Sequence, residues 1–178
     1  MMEEKAREKG LLEVGGNCVW SISTCKPGYG VANLRDRSIE TYWQSDGPQP
    51  HYINMEFLHN TSLESICIYT DYSQDESYTP SNIVIKVGNH FHDLTTVTSL
   101  ELEEPMGWVT IKLKDSKDRP VKGFVYQVSI LANHLNGRDT HIRQIKVYET
   151  KTPASDDSIT GSQSMFTDRL TPFYTLRQ

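Results

Sequence analysis

The side chains capable of chemistry concentrate in three segments. They are residues 41–47 (Thr-Tyr-Trp-Gln-Ser-Asp-Gly), 71–80 (Asp-Tyr-Ser-Gln-Asp-Glu-Ser-Tyr-Thr-Pro) and 133–141 (Asn-His-Leu-Asn-Gly-Arg-Asp-Thr-His). Each mixes aromatic rings with hydrogen-bonding groups, the blend of a recognition surface in which rings supply contact area and polar groups fix orientation. If the three meet at one end of a fold, they form a single site. Catalytic readings are weaker. Ser45, Asp46, Ser77, His134 and His141 could supply a hydrolase triad, yet no Gly-x-Ser-x-Gly elbow is present. Asp71, Asp75 and Glu76 could do acid–base work or hold calcium, but the spacing of a calcium-binding EF-hand loop is absent. His90 and His92 share one face of an extended segment without a third ligand at zinc-like spacing, so they read as a surface pair. No glycine-rich phosphate loop occurs, and the expectation is a non-catalytic chain with no metal and no cofactor. Trp43 and Trp108 read as core or loop anchors, and Asn136-Gly137 as a turn in which both residues tolerate positive φ.

The elements that must hold these segments are strands, because the hydrophobic period is two. Ile53, Met55 and Phe57 share a face opposite Asn54 and Glu56. The same alternation recurs at Ile83, Ile85 and Val87, at Val109, Ile111 and Leu113, at Phe124, Tyr126, Val128 and Ile130, and at Ile145 and Val147. Residues 63–69 form a mixed apolar run that reads as a strand buried on both sides. Turn signals separate these runs, among them Lys26-Pro-Gly-Tyr-Gly30, Ser45-Asp-Gly-Pro48 and Pro105-Met-Gly107. One short helix is expected over residues 32–37. The sum is an all-β antiparallel sandwich.

Composition divides the chain into a charged, flexible leader at residues 1–13, a β-sandwich domain at 14–150, and a C-terminal arm at 151–178 too poor in apolar residues to offset its ordering entropy. With 18 basic and 23 acidic residues the net charge is −5, which gives no general attraction for nucleic acid or anionic membranes. No apolar run is long enough to cross a bilayer as a helix. Three cysteines, with no Cys-x-x-Cys pair and no secretory-type apolar stretch at residues 1–9, suggest a reducing intracellular setting. The sequon Asn60-Thr61-Ser62 then reads as chance, and the Thr-Pro pairs at residues 79, 152 and 171 carry little weight as phosphorylation sites.

The loop strings resemble the DOC-domain subunit family of the anaphase-promoting complex. The resemblance rests on Trp20-Ser with Ser-Thr-Cys-Lys-Pro-Gly28, Leu34-Arg-Asp36, Thr41-Tyr-Trp-Gln-Ser-Asp-Gly47, Asp75-Glu-Ser-Tyr-Thr-Pro-Ser81, Gly107-Trp108, and Asn136-Gly-Arg-Asp-Thr-His141 running on through Arg143-Gln-Ile-Lys-Val-Tyr148. It implies a galactose-binding-like (discoidin-like) jelly roll. It also implies a non-catalytic subunit of a cell-cycle ubiquitin ligase that acts with a WD40 coactivator as co-receptor for destruction-box substrates and raises the processivity of ubiquitination. On this chain the substrate-facing residues would be Ser77, Tyr78, His134, Asn136, Arg138 and His141, with Asp71 a lesser candidate. Partners would include tetratricopeptide-repeat scaffold and cullin/RING subunits, with no nucleic acid and no membrane, in nucleus and cytoplasm. Family members end in an apolar residue and a terminal arginine that dock on the scaffold; here Leu176-Arg177 matches but Gln178 follows, which moves the free carboxylate. The alternative is a discoidin-like carbohydrate- or lipid-headgroup-binding module, motivated by the sandwich and by Trp43-Gln-Ser-Asp46.

Overall fold

The computed structural model describes residues 2–115 and 117–150. In chain order the elements are α1 (Met2–Glu8), β1 (Leu11–Glu13), β2 (Cys18–Ile22), β3 (Trp43–Gln44), β4 (His51–Asp71), α2 (Tyr72–Asp75), β5 (Pro80–Gly88), β6 (Thr95–Glu101), β7 (Met106–Lys112), β8 (Val121–Asn133), β9 (His141–Ile142) and β10 (Gln144–Thr150). Every pairing is antiparallel.

The two runs expected at residues 51–57 and 63–69 belong to one 21-residue strand, β4, which serves both layers of the sandwich. Its first arm pairs with β2 and β8, and β8 continues through β5 to β6. Its second arm pairs with β10 and β7, and β10 carries β1 at its edge. The register breaks between Glu56 and Thr61, and the strand changes layer there. Tyr126 anchors the break: its hydroxyl lies 2.7 Å from the Thr61 carbonyl and 2.9 Å from that of Val121, and Leu63 N–H donates to it at 3.4 Å. Burial pushes the Tyr126 phenol up to about 12.

The period-two residues meet as the core. Ile53, Met55, Ile83, Ile85, Tyr126, Val128, Ile130, Ile145 and Val147 are all buried in a single cluster. Trp43 is fully buried among them and its indole N–H donates to the Thr24 carbonyl at 2.9 Å, which fixes β3 beneath the loops.

Two expectations differ from the structure. The helix expected over 32–37 is a single 3-10 turn, Val31–Leu34, whose first residue has no side-chain cap. Its end is set by Arg35, which leaves helical φ/ψ and reaches Glu13 and the Ile145 carbonyl. The leader, expected to be solvated, joins the fold: β1 pairs with β10, and α1 lays Ala6 over Cys67 and Tyr148. That cover buries Cys67 away from the main core, while Glu64 and Tyr69 of the run expected to be buried on both sides stay half-buried. The arm at 151–178, with Leu176 and Arg177, lies outside the described residues.

Replacing Trp43 by Ala removes a large core side chain and the anchor of β3. Chemical denaturation is expected to show a loss of ~3–5 kcal/mol of unfolding free energy.

Candidate functional site

The three polar segments converge at one end of the sandwich. β3 pairs with β9, which brings residues 41–47 against 133–141. Ser45 N–H donates to the Thr140 carbonyl at 3.1 Å and Thr140 N–H to Ser45 Oγ at 2.9 Å. Arg138 Nε donates to the Gly47 carbonyl at 3.2 Å, and Gln49 Nε2 to that of Gly137 at 3.0 Å. Residues 71–80 join through Thr140 Oγ1, which donates to the Tyr78 carbonyl at 3.3 Å. The closest approach is at Gly137, where a Cβ would overlap the Ser77 carbonyl.

Asp71 opens the second segment as a helix cap. Its carboxylate accepts from Ser73 N–H at 3.1 Å, Ser73 Oγ at 2.6 Å and Gln74 Nε2 at 2.7 Å. The Ser73 hydroxyl bond leads the effects that hold its pKa below the usual carboxylate value. After α2 the chain turns sharply at Glu76, whose φ of 43° and ψ of −113° lie outside the ordinary left-handed well. That turn delivers Ser77 and an exposed Tyr78 to the rim.

Asp75 sits beneath this turn, 5% exposed. Its Oδ2 accepts from Arg143 Nε at 2.9 Å; its Oδ1 accepts from Arg143 Nη2 at 2.9 Å and from His141 Nδ1 at 3.0 Å. Burial alone would raise its pKa, but the His141 and Arg143 hydrogen bonds and the guanidinium charge outweigh it and hold the carboxyl below its ordinary value. Arg143 is pushed further up by the Asp75 hydrogen bond. It also donates to the Ile39 carbonyl at 2.7 Å, so one ion pair ties three stretches of chain.

His141 is 7% exposed and serves as a brace. Its ring lies between Tyr42 at 4.0 Å and Tyr78 at 4.2 Å, both nearly parallel, and Tyr29 stacks on Tyr42 at 5.1 Å. No described hydroxyl donates to its buried Nε2, so the Asp75–His141 pair carries no attached nucleophile. His134, by contrast, is committed on both ring nitrogens. Nδ1–H donates to the Thr79 carbonyl at 3.0 Å, while Nε2 accepts from Glu104 N–H at 3.2 Å, a pattern that fixes the neutral Nδ1–H tautomer. The groups turned outward are Tyr78, Asn136, Arg138 and Leu135, with Ser77 half-buried at the junction. Leu135 and Asn136 take φ of 51° and 55°, and Leu135 is 69% exposed. An open groove of about 770 Å³ beside His134, walled by Glu101, Glu103 and Glu104, gives this border a negative charge.

Seven of these positions were expected as substrate-facing, Asp71 as the lesser candidate, and all seven lie at this end of the sandwich. They differ in role: His134, His141 and Asp71 position the loops, Tyr78, Asn136 and Arg138 face out, and Ser77 is half-buried at the junction. Leu135, Tyr42 and Arg143 were not singled out as site residues, and Asp75 was weighed only for acid–base work or calcium. Leu135 has only its place beside Asn136-Gly137 as a signal. No group of three or more His, Cys, Asp or Glu suited to a metal occurs among the described residues.

Asp75→Asn leaves Arg143 buried without its counter-charge, and a loss of ~3–5 kcal/mol is expected at pH 7. Because the folded pKa of Asp75 lies below the unfolded value, its contribution is complete above about pH 4 and is lost as pH falls through the folded pKa. Denaturant melts at pH 7 and pH 3 should therefore show the gap between wild type and variant narrowing in acid. Gly137→Ala is expected to part the loops, with lost amide hydrogen-exchange protection confined to residues 76–80 and 133–141.

Comparison with known proteins places these features in a family. The sequence model of "Anaphase-promoting complex, subunit 10 (APC10)" matches residues 1–171. Anaphase-promoting complex subunit 10 of Homo sapiens is 54% identical over 147 residues, covering 83% of this chain and 78% of that protein. Its counterpart in Schizosaccharomyces pombe is 40% identical over 155 residues, 85% of this chain and 82% of that protein. Among solved structures, the family 32 carbohydrate-binding module of Clostridium perfringens NanJ in complex with galactose superposes with a TM-score of 0.66 at 17% identity, over 78% of this chain and 99% of the module. A chitosan-binding module from a Paenibacillus chitosanase/glucanase gives 0.62 at 17% identity, over 78% and 99%. These modules share the jelly-roll fold.

Proposed function

The chain belongs to the anaphase-promoting complex subunit 10 family, and from that membership we propose that it is a non-catalytic co-receptor for destruction-box substrates. In this reading a WD40 coactivator holds one part of the degron and the loop end described above holds another. Tetratricopeptide-repeat, cullin and RING subunits form the surrounding ligase, in nucleus and cytoplasm.

The observation that carries the reading is the convergence of the three loops on a braced platform, with Tyr78, Asn136 and Arg138 outward and their supports buried. An extended peptide needs little more: a ring to lie against and amide or guanidinium groups for its backbone and polar side chains. Because a coactivator holds the same peptide, modest affinity here becomes useful avidity at high effective concentration. Ser77, at the junction, contributes a hydroxyl; His134, His141 and Asp71 act through the groups they position. The likeness to sugar-binding modules at 17% identity concerns the fold.

The test is a reconstituted ligase containing Tyr78→Ala with Asn136→Ala. Incorporation into the complex should match wild type. The number of ubiquitins added per substrate encounter should fall several-fold, in line with ~1 kcal/mol per lost contact. Undiminished processivity in the incorporated variant would remove the loop end from substrate capture.

A further inference from the structure

Strand register shows what lies at the opposite end. Cys18 pairs with Phe57 and Val19 with Glu56, Gly88 pairs with Val125, and β10 ends at Thr150, so residues 17–19, 58–61 and 89–94 share the end away from the loops. Exposed apolar side chains gather there: Leu58 is 81% exposed, Val19 62% and Phe91 44%. Two adjoining grooves share Phe57. One, of about 800 Å³, is lined by Val19 and Leu58, with Lys122 and Glu149 among its polar residues. The other, of about 730 Å³, is lined by Phe91 and Phe124, with Glu56, His90 and His92.

Single exposed apolar residues are ordinary, but apolar groups clustered in grooves with a polar rim mark an interaction site. We infer that this end of the sandwich is the surface by which the chain seats on a neighbouring subunit of its ligase, whose matching element is an apolar ridge flanked by an acidic group for Lys122 and a basic group for Glu149. This rests on the reading above, which requires the loop end to remain open to substrate.

Two observations select a fellow subunit as occupant. The chain belongs to a family of subunits of a multiprotein assembly, so part of its surface must be covered. The 28 residues beyond Thr150 depart from the rim of the first groove, which Glu149 lines. A partner held through those residues is therefore tethered at the grooved end of the sandwich, since the chain leaves the described fold there.

The experiment is competitive incorporation. Full-length chain carrying Val19→Asp and Leu58→Asp, with residues 151–178 intact, is mixed in equal amounts with differently tagged wild type and assembled with the remaining subunits. The variant is expected to be under-represented about tenfold, the loss of one interface hot spot. Both positions are exposed, so its melting temperature should stay near wild type; if it falls, Val19→Ser with Leu58→Ser provides the same reading. Equal incorporation of a folded variant overturns the proposal. So does sedimentation of the isolated wild-type chain as a dimer that the variant abolishes, because a second copy would then be the occupant. Tyr78→Ala with Asn136→Ala, run in parallel, separates the two readings: it reports substrate capture and leaves the competition ratio at one.

Discussion

One carboxylate organises the loop end. Asp75 is buried, and a buried charge is expensive unless hydrogen bonds replace its water. Here three donors do so, two from Arg143 and one from His141. Those donors come from β9 and from the residue between β9 and β10, so satisfying the acid draws the α2 turn onto the second layer of the sandwich. Arg143 then reaches Ile39 and lies 5.6 Å from the Tyr42 ring centre, while His141 is clasped between Tyr42 and Tyr78. The outward face of Tyr78 is a consequence of charge satisfaction several ångströms below it.

This arrangement separates rigidity from recognition. Strands supply a closed apolar core, and the loops above it are locked by hydrogen bonds between backbone and side chain across long sequence distances. Loops of that kind approach a ligand already ordered, so little conformational entropy remains to be lost on binding. The strain at Glu76 and the left-handed conformations of Leu135 and Asn136 are maintained by the same contacts.

Much of the fold was legible because burial imposes a period of two on strands, and Ile53, Met55, Ile83, Ile85, Val128 and Ile130 display it openly. Loop composition also exposed the site, since rings and amides crowd into residues 41–47, 71–80 and 133–141. The division of roles within the site was hidden. His141 and Asp75 are 66 residues apart, and Gln144 binds Asp36 across 108, so nothing local distinguishes a brace from a contact. The leader misled because its charges dominate residues 1–13, whereas its structural value comes from small groups: Ala6 on Cys67, and a three-residue strand beside β10. The 3-10 turn at 31–34 was mistaken for a helix because its ending depends on Arg35 contacts with Glu13 and Ile145.

The shared strand has a consequence for how this chain can vary in length. Within either arm of β4, one inserted residue would swap every following side chain between core and solvent, and both layers would lose register together. The stretch between Glu56 and Thr61 is different, because pairing there is already interrupted and residues 58–60 are exposed. It acts as an expansion joint: additions or deletions at this point leave the phase of both arms intact, and the loop end never registers that the far end has changed size.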